Sequence, residues 1–251
     1  MRFSGKRVLM TGGSGEIGAR IAGAMRGEGA CVTVLDRAPP ADPGLSYFAC
    51  DLSTAEGLEA VAAWVAQGEW DILVNVAGIL HFGPFEAQTP DHLARSFMVN
   101  LIAPARLAQA VLPGMRSRRC GQIVNIGSVF GAINFAHFAT YSASKAGLRG
   151  LSQALRRELS GSGVQVTHIA PRAVRTGFNT AQVMAFAKLT KTAMDEPDVV
   201  AARIVKAIAE RRGEVFIGFP EALFVRINAI VPSLIDRALA PGDRRVAGLF
   251  V

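Results

Sequence analysis

Two side chains capable of proton transfer, Tyr141 and Lys145, lie four residues apart in this sequence. If residues 141–160 form a helix, both side chains project from the same face. A phenol has an unperturbed pKa near ~10, so it acts as an acid or base at neutral pH only when a nearby cation stabilises its phenolate. Ser128, thirteen residues before Tyr141, adds a hydroxyl to the set. The spacing predicts a proton-transfer site, and a solvated lysine beside a packed tyrosine is the alternative for the pair alone.

The N-terminal segment predicts a binding site for a phosphate-bearing ligand. Residues 7–11 are typical of a buried parallel strand, a glycine-rich turn follows at 12–18, and residues 19–28 have a helical pattern. In such a unit Gly12 permits a sharp turn and Gly18 permits close packing of the helix on the strand. The free amides of the first helical turn then cradle a pyrophosphate.

A second apolar strand, residues 31–35, ends at Asp36, eighteen residues after Gly18. In dinucleotide-binding units an acid at about this position binds both ribose hydroxyls. A carboxylate there repels a 2′-phosphate and favours NAD, whereas the adjacent Arg37 would favour the phosphate of NADP. We expect NAD, with NADP as the alternative.

Composition and pattern predict one domain over residues 1–251. Half of the 251 residues are apolar, enough for one substantial core, and no Pro/Gly/Ser-rich linker interrupts the chain. Apolar strand-like runs alternate with helical stretches and lie at 7–11, 31–35, 71–75, 121–127, 164–169 and 214–218. This alternation indicates an α/β fold of the Rossmann type, a doubly wound parallel sheet with helices on both faces.

The motifs together resemble those of the short-chain dehydrogenase/reductase family over nearly the whole chain. The matching segments are 11–18, 50–52, 75–78, Asn100, Ser128, Tyr141 with Lys145, and 171–176. The resemblance implies a catalytic tetrad of Asn100, Ser128, Tyr141 and Lys145. It also implies an adenine contact from Asp51 and nicotinamide contacts around Pro171 and Thr176. The full set of expected cofactor contacts is Gly12, Ser14, Gly15, Ile17, Gly18, Asp36, Arg37, Asp51, Leu52, Asn75, Ala77, Gly78, Tyr141, Lys145, Pro171, Val174 and Thr176.

Three residues depart from the family pattern. Glu16 occupies the position of the middle glycine, Val76 replaces the second Asn of Asn-Asn-Ala-Gly, and Arg172 follows Pro171 where glycine is common. A carboxylate beside a pyrophosphate lowers its affinity unless the side chain turns to solvent. The favoured interpretation of Glu16 is a first-turn glutamate that suits the helix dipole.

Pro104 lies four residues after Asn100 and has no N–H. A helix through both residues therefore leaves the Asn100 carbonyl without its usual donor. The family resemblance implies a water at this carbonyl, linked toward Lys145 as a proton relay. A simple proline kink is the alternative.

The resemblance implies hydride transfer between a nicotinamide and a ketone or secondary alcohol. Apolar side chains suggest a bulky apolar or acyl substrate, and core packing explains some of them equally well; they are Val129, Phe130, Ile133, Phe135, Phe138, Phe178, Val183, Met184, Phe186 and Leu189. The resemblance also implies a mobile substrate lid, at about 177–197. His81 and His137 could contact substrate, although ordinary structural roles are favoured. A catalytically weak dinucleotide sensor and a peripheral membrane or scaffold protein are the alternative functions.

Other expectations concern partners and location. The three cysteines lack metal or redox spacing, so no metal site and reduced thiols are expected. The beginning of the chain lacks a signal-peptide pattern, which favours the cytoplasm. The net charge of +7 is scattered without interleaved aromatics, so nucleic-acid binding is not expected.

The apolar C-terminal segment, 221–239, contains a stretch at 222–235 with a single charge, Arg226, and a break at Pro232. It is too short to span a bilayer but could contact a membrane surface. Burial in a subunit interface or over the active-site rim is favoured, and we expect a homodimer or homotetramer.

Overall fold

The computed structural model describes residues 1–250, and within them seven parallel strands form one sheet. The strands are β1 (Arg7–Thr11), β2 (Cys31–Asp36), β3 (Ser46–Ala49), β4 (Ile72–Asn75), β5 (Gly121–Ile126), β6 (Val164–Pro171) and β7 (Glu214–Ile217). Their order across the sheet is β3-β2-β1-β4-β5-β6-β7. The chain winds in opposite directions from β1, so a crevice opens at the carboxyl ends of β1 and β4. The predicted doubly wound α/β fold is confirmed.

Helices connect the strands and cover both faces of the sheet. They are α1 (Glu16–Gly27), α2 (Ala55–Ala66), α3 (Pro90–Phe97), α4 (Ala103–Ser117), α5 (Ala139–Glu158), α6 (Ala181–Thr190), α7 (Pro197–Ala209), α8 (Glu221–Ile230) and α9 (Pro232–Ala247). Threonine side chains begin three of them: Thr54 accepts from Gly57 N, Thr89 from His92 N, and Thr180 from Val183 N. Such caps stabilise a helix by about 1 kcal/mol each.

Side chains from successive residues of β1 enter two different cores. Val8 and Met10 pack with α1 and α7, whereas Leu9 packs with α2 and α4. This alternation follows from the period of two in a strand. Each fully buried aliphatic side chain contributes about 1.5–3 kcal/mol of transfer free energy, so both helical layers are held against the sheet.

The edge strand β3 was not among the predicted strands. Ser46–Ala49 is only four residues long, and its residues are exposed or partly buried. Its short polar-to-aromatic sequence has neither a continuous apolar run nor clear alternation. Pairing with β2 therefore decides its conformation.

A π-helix, Met98–Ile102, joins α3 to α4 and contains Asn100. The Ala103 N–H donates to the Met98 carbonyl five residues earlier, and Pro104 then lies in the first turn of α4. The expected disturbance of α-helical bonding near Asn100 thus takes the form of a π-turn rather than a proline kink inside an α-helix.

The apolar stretch at 222–235 forms α8 and the beginning of α9. The helical run is interrupted before Pro232, where the sequence predicted a break. Within residues 1–250, no helix has the length and apolar character needed to cross a bilayer.

Candidate functional site

A cavity of about 690 Å³ lies along the carboxyl ends of the central strands. One end is lined by the glycine turn and by residues that follow β2, and the other by aromatic side chains that follow β5 and by α6. Ser128, Tyr141 and Lys145 line the wall between these two ends. The candidate proton-transfer residues therefore lie between a phosphate-type cradle and an apolar compartment.

The glycine turn brings backbone very close to backbone. A methyl group on Gly12 would lie 2.7 Å from Ala77 Cα, and one on Gly18 would lie 2.0 Å from the Gly12 carbonyl oxygen. Gly15, which precedes α1, supplies no side-chain cap for the first-turn amides. Uncapped amides at a helix N-terminus form a donor set that fits a pyrophosphate.

Two carboxylates, Asp36 and Asp51, line the glycine-turn end of the cavity. Asp36 accepts from Ser14 N at 3.0 Å and from Arg37 N at 2.7 Å, which fixes its position at the end of β2. Asp51 accepts from Ser53 N at 2.8 Å, and its pKa is lowered chiefly by Ser53 and further by nearby arginines. Burial, with Asp36 and Asp51, raises the pKa of the Cys50 thiol to about 11. Two carboxylates and two arginines, Arg37 and Arg95, therefore share this end of the cavity.

Asn75 does not lie where the family pattern places a cofactor contact. Its side chain is buried in the sheet, donates to Asn125 Oδ1 at 2.8 Å, and lies outside the cavity lining. The Asn75 side chain therefore has a partner in the sheet, and a cofactor contact at this residue stays a prediction. The Asn side chain at the end of β4 faces its neighbouring strand rather than the crevice.

Helix α5 presents Tyr141 and Lys145 on one face, as their spacing predicts. The Lys145 Nζ donates to the Ile126 carbonyl at 3.0 Å and lies 5.9 Å from the centre of the Tyr141 ring. Ser128 follows β5, and its hydroxyl accepts from Phe130 N at 3.1 Å in a short 3₁₀ turn. Strand β5 and helix α5 thus bring the three residues together.

The pKa values of this group differ from the simple expectation for a Tyr–Lys pair. Desolvation raises the pKa of Tyr141 to about 12, and the Ser128 side chain opposes that rise. Burial lowers the pKa of Lys145 to about 8. Desolvation therefore outweighs the lowering of the Tyr141 pKa expected from Lys145, whose amine donates to the Ile126 carbonyl.

Asn100 is buried behind the cavity wall rather than lining it. Its side chain accepts from Ile79 N at 2.9 Å and donates to Ile79 O at 2.9 Å and to Ser144 Oγ at 3.0 Å. A methyl group on Gly78 would lie 3.4 Å from Asn100 Oδ1 and 3.5 Å from Lys145 Nζ. Asn100 and Lys145 therefore converge on the same space beside Gly78.

The comparisons with known proteins agree with these features. A family model described as short chain dehydrogenase matches residues 6–185. The chain belongs to the short-chain dehydrogenase/reductase family. It is 34% identical to the ketoacyl reductase HetN of Nostoc, over 94% of this chain and 88% of the relative. A 3-oxoacyl-(acyl-carrier-protein) reductase of Salmonella typhimurium is 35% identical over 72% of this chain and 78% of the relative.

A solved structure extends the similarity to the complete fold. A short-chain dehydrogenase from Streptomyces avermitilis is 29% identical, covers 99% of both chains, and superposes with a TM-score of 0.78. The protein is accordingly an NAD(P)-dependent oxidoreductase.

Two of the three departures from the family pattern make side-chain contacts that link segments of this dehydrogenase. Glu16 begins α1, and its Oε1 accepts from Gly177 N at 2.6 Å. Arg172 holds Asp195 with two hydrogen bonds of 2.7 and 3.0 Å and reaches Glu221 at 3.1 Å. Val76 packs against the core. Glu16 and Arg172 are therefore tethers at opposite ends of the segment expected to form the lid.

The apolar end of the dehydrogenase cavity contains only part of the predicted set. The predicted residues that line it are Phe130, Phe138, Phe178, Val183 and Phe186. The others lie elsewhere. Val129 and Ile133 pack with α8, Phe135 packs against Phe130 with tilted rings, and Met184 and Leu189 are exposed. His81 and His137 contact other aromatic rings outside the lining. Their ordinary structural roles fit this placement.

Two residues near the site, Arg95 and His168, were not among those predicted. Arg95 of α3 lines the cavity on the side of Asp51. His168 of β6 is buried, its ring fills the space left by Gly127, and burial lowers its pKa to about 4. A helix register could have suggested Arg95, but His168 resembles any other residue of a strand.

Proposed function

We propose that this dehydrogenase transfers a hydride between NAD and a bulky apolar or acyl-type ketone or secondary alcohol. The observation that carries the proposal is the position of Ser128, Tyr141 and Lys145, on a wall between the glycine turn and an aromatic compartment. The uncapped amides of α1 and the glycine cradle fit the pyrophosphate of the cofactor. When bound, the nicotinamide supplies or accepts the hydride.

Tyr141 is the proposed general acid and base. In reduction its hydroxyl proton passes to the substrate oxygen as the carbonyl carbon gains hydride, and in oxidation both transfers reverse. Ser128 donates a hydrogen bond to the same oxygen and so orients the carbonyl. Burial raises the pKa of Tyr141 to about 12 and so keeps the phenol protonated at neutral pH, which suits the acid role in reduction.

Lys145 and Asn100 are proposed to support that proton transfer. Burial lowers the pKa of Lys145 to about 8, which is close to physiological pH. The Lys145 side chain can therefore accept or release a proton during turnover. A bound ribose would offer Lys145 a second partner besides the Ile126 carbonyl. Asn100 holds the Ile79 backbone and Ser144 of α5, and thereby positions the Lys145 face of the helix.

Preference for NAD over NADP is proposed from the charges at the far end of the cavity. The Asp36 carboxylate is fixed by two amides where a ribose would lie, and Asp51 adds a second negative charge. A 2′-phosphate would meet both. Arg37 and Arg95, which also line this end, are the residues that would favour NADP instead.

An apolar or acyl substrate is supported by the rings and by the relatives. Phe130, Phe138, Phe178 and Phe186 line the compartment beyond Tyr141. The Nostoc and Salmonella relatives are named as reductases of ketoacyl compounds. A long hydrocarbon chain would be stabilised by about 0.8 kcal/mol for each buried methylene.

The decisive experiment is a screen of NADH and NADPH oxidation against ketones that range from small sugars to long acyl chains. We expect the highest kcat/KM with NADH and a long apolar or acyl ketone. Turnover confined to small polar ketones would contradict the substrate proposal. Dinucleotide binding without turnover of any ketone or alcohol would instead support the sensor alternative.

The surface supports a proposal about assembly. Phe219, Leu223, Phe224, Ile230, Val231 and Leu234 are exposed around α8 and the beginning of α9. Apolar clusters of this kind usually mark an interface. We propose a cytoplasmic homodimer or homotetramer that buries them, with peripheral membrane contact as the alternative. Light scattering, with and without anionic vesicles, distinguishes the two.

A further inference from the structure

Glu16 joins two segments that are far apart in sequence. Its Oε1 accepts the Gly177 N–H at 2.6 Å, across 161 residues. Gly177 lies at the tip of a turn that leads from β6 to α6, and the turn is internally fixed: Asn179 Nδ2 donates to the Val174 carbonyl at 2.6 Å and to the Thr176 carbonyl at 3.2 Å. The carboxylate therefore holds a preformed unit, residues 174–179.

The same carboxylate lies at the cofactor cradle. Glu16 is the first residue of α1, and it lines the cavity together with Gly15, Thr176 and Phe178. Arg20, one turn along α1, donates to Asp198 at 2.7 Å and to the Glu16 carbonyl at 2.9 Å. Within residues 1–250, no cation lies within ion-pair distance of the Glu16 carboxylate. An incoming pyrophosphate would thus meet an uncompensated negative charge.

The hydrogen bond of Glu16 to Gly177 and the negative charge of Glu16 have opposite effects on cofactor binding. A hydrogen bond from the lid to α1 fixes the beginning of the lid over the cofactor cleft, whereas a negative charge at the helix N-terminus opposes a phosphate. A glycine at this position would remove both. We propose that Glu16 is a positioning residue that ties the 174–179 turn to α1 and weakens cofactor binding electrostatically. This inference rests on the proposed placement of the pyrophosphate at the glycine turn.

Two substitutions separate the two effects. Glu16→Gln keeps an acceptor for Gly177 N–H but removes the charge, and Glu16→Ala removes both. Glu56→Gln is the matched control, because Glu56 is an exposed first-turn glutamate of α2 outside the cavity. The binding probe is NADH, titrated by fluorescence at low and high salt. The structural probe is trypsin cleavage at Lys188 and Lys191, which are exposed in and just after α6.

We expect Glu16→Gln to bind NADH about fivefold more tightly at low salt, the factor for about 1 kcal/mol of repulsion at 4 Å in water. The gain should shrink at high salt because mobile ions screen it. Lid cleavage should match the wild type in Glu16→Gln and be several-fold faster in Glu16→Ala.

Unchanged NADH affinity in Glu16→Gln would overturn the electrostatic part, and unchanged cleavage in Glu16→Ala would overturn the tether. Neither measurement depends on turnover. Failure of every variant, wild type included, to bind NADH would count against the proposed function, and the cleavage rates would still test the tether.

Discussion

The two ends of the cavity are made of different parts of the polypeptide. The cofactor end consists of glycines, helix-terminal amides and carboxylates fixed by backbone N–H groups at the ends of strands. The apolar end consists of aromatic side chains carried by the segment after β5 and by α6. Backbone groups thus form most of the cofactor end, with charge supplied by the Asp36 and Asp51 side chains, whereas aromatic side chains form the apolar end. Substitutions at the boundary, at the cofactor end and at the apolar end should therefore have different and separable effects.

Tyr141→Phe, at the boundary, should have the largest effect. Loss of the phenolic hydroxyl removes the proposed general acid, so kcat should fall by about 10²–10⁴-fold. The ring remains and still contacts Phe130, so NADH affinity should change little. Steady-state kinetics with parallel NADH titrations test this prediction.

The control for this substitution is Tyr47→Phe. Tyr47 is the other of the two tyrosines, and its hydroxyl donates only to the Asp36 carbonyl at 3.3 Å. A Tyr141→Phe enzyme that keeps more than about a hundredth of wild-type kcat would show that another group supplies the proton.

Asp36 provides the test of the cofactor end. Replacement by Asn keeps an acceptor for the amides of Ser14 and Arg37 but removes the charge, and replacement by Ala removes both. We expect the preference for NADH over NADPH to fall by about tenfold in Asp36→Asn, equivalent to about 1.4 kcal/mol. Titration of both nucleotides measures the ratio. Tighter binding of NADPH than of NADH by the wild type would show that Arg37, not Asp36, determines the nucleotide preference. Arg37→Ala should then reverse that preference.

Phe178 tests the apolar end with little risk to folding, because the side chain lines the cavity yet is 45% exposed. Phe178→Ala should lower kcat/KM for long apolar ketones by about fivefold and leave short ketones unaffected, since only long chains reach the ring. Met184→Ala, in α6 but outside the lining, is the control. An equal loss for short and long ketones would mean that Phe178 acts through lid packing.

His168 lies outside both ends of the cavity, and its predicted effect is on stability rather than on activity or cofactor choice. Burial lowers the pKa of His168 from its ordinary value of 6.5 to about 4 in the folded protein. The charged groups that face the imidazole are Glu214, which opposes this shift, and Lys145, Arg149 and Arg156, which add to it. Between these values the unfolded chain binds the proton and the folded protein does not, so stability falls as the pH decreases from about 6.5 toward 4. At pH 5 the loss from this residue is about 2 kcal/mol.

The measurement is urea unfolding of the wild type and His168→Gln at pH 7 and pH 5. The substituted protein should lose less stability between the two pH values. Identical losses would show that His168 takes up its proton without penalty in the folded protein.

The sequence predicted the parts of the molecule that follow from local pattern. The glycine turn, the ends of β1 and β2, and the shared face of Tyr141 and Lys145 depend on residues close together in the chain. The direction of the Asn75 side chain could not be predicted, because a strand-end side chain can face either the crevice or the neighbouring strand, and here its partner is Asn125. The same apolar character describes Phe186 in the cavity and Ile133 in the core, so sequence could not separate pocket from packing.

The fit between Gly127 and His168 restricts how this chain can change. A methyl group on Gly127 would lie 2.3 Å from His168 Cε1 and 2.5 Å from Nε2, so the imidazole occupies the volume of any side chain at 127. Gly127 separates Ile126, whose carbonyl binds Lys145, from Ser128. Evolution can therefore introduce alanine or serine at position 127 only after His168 has been replaced by a smaller residue. In the reverse order, the intermediate protein would have two side chains competing for one volume next to the candidate catalytic residues.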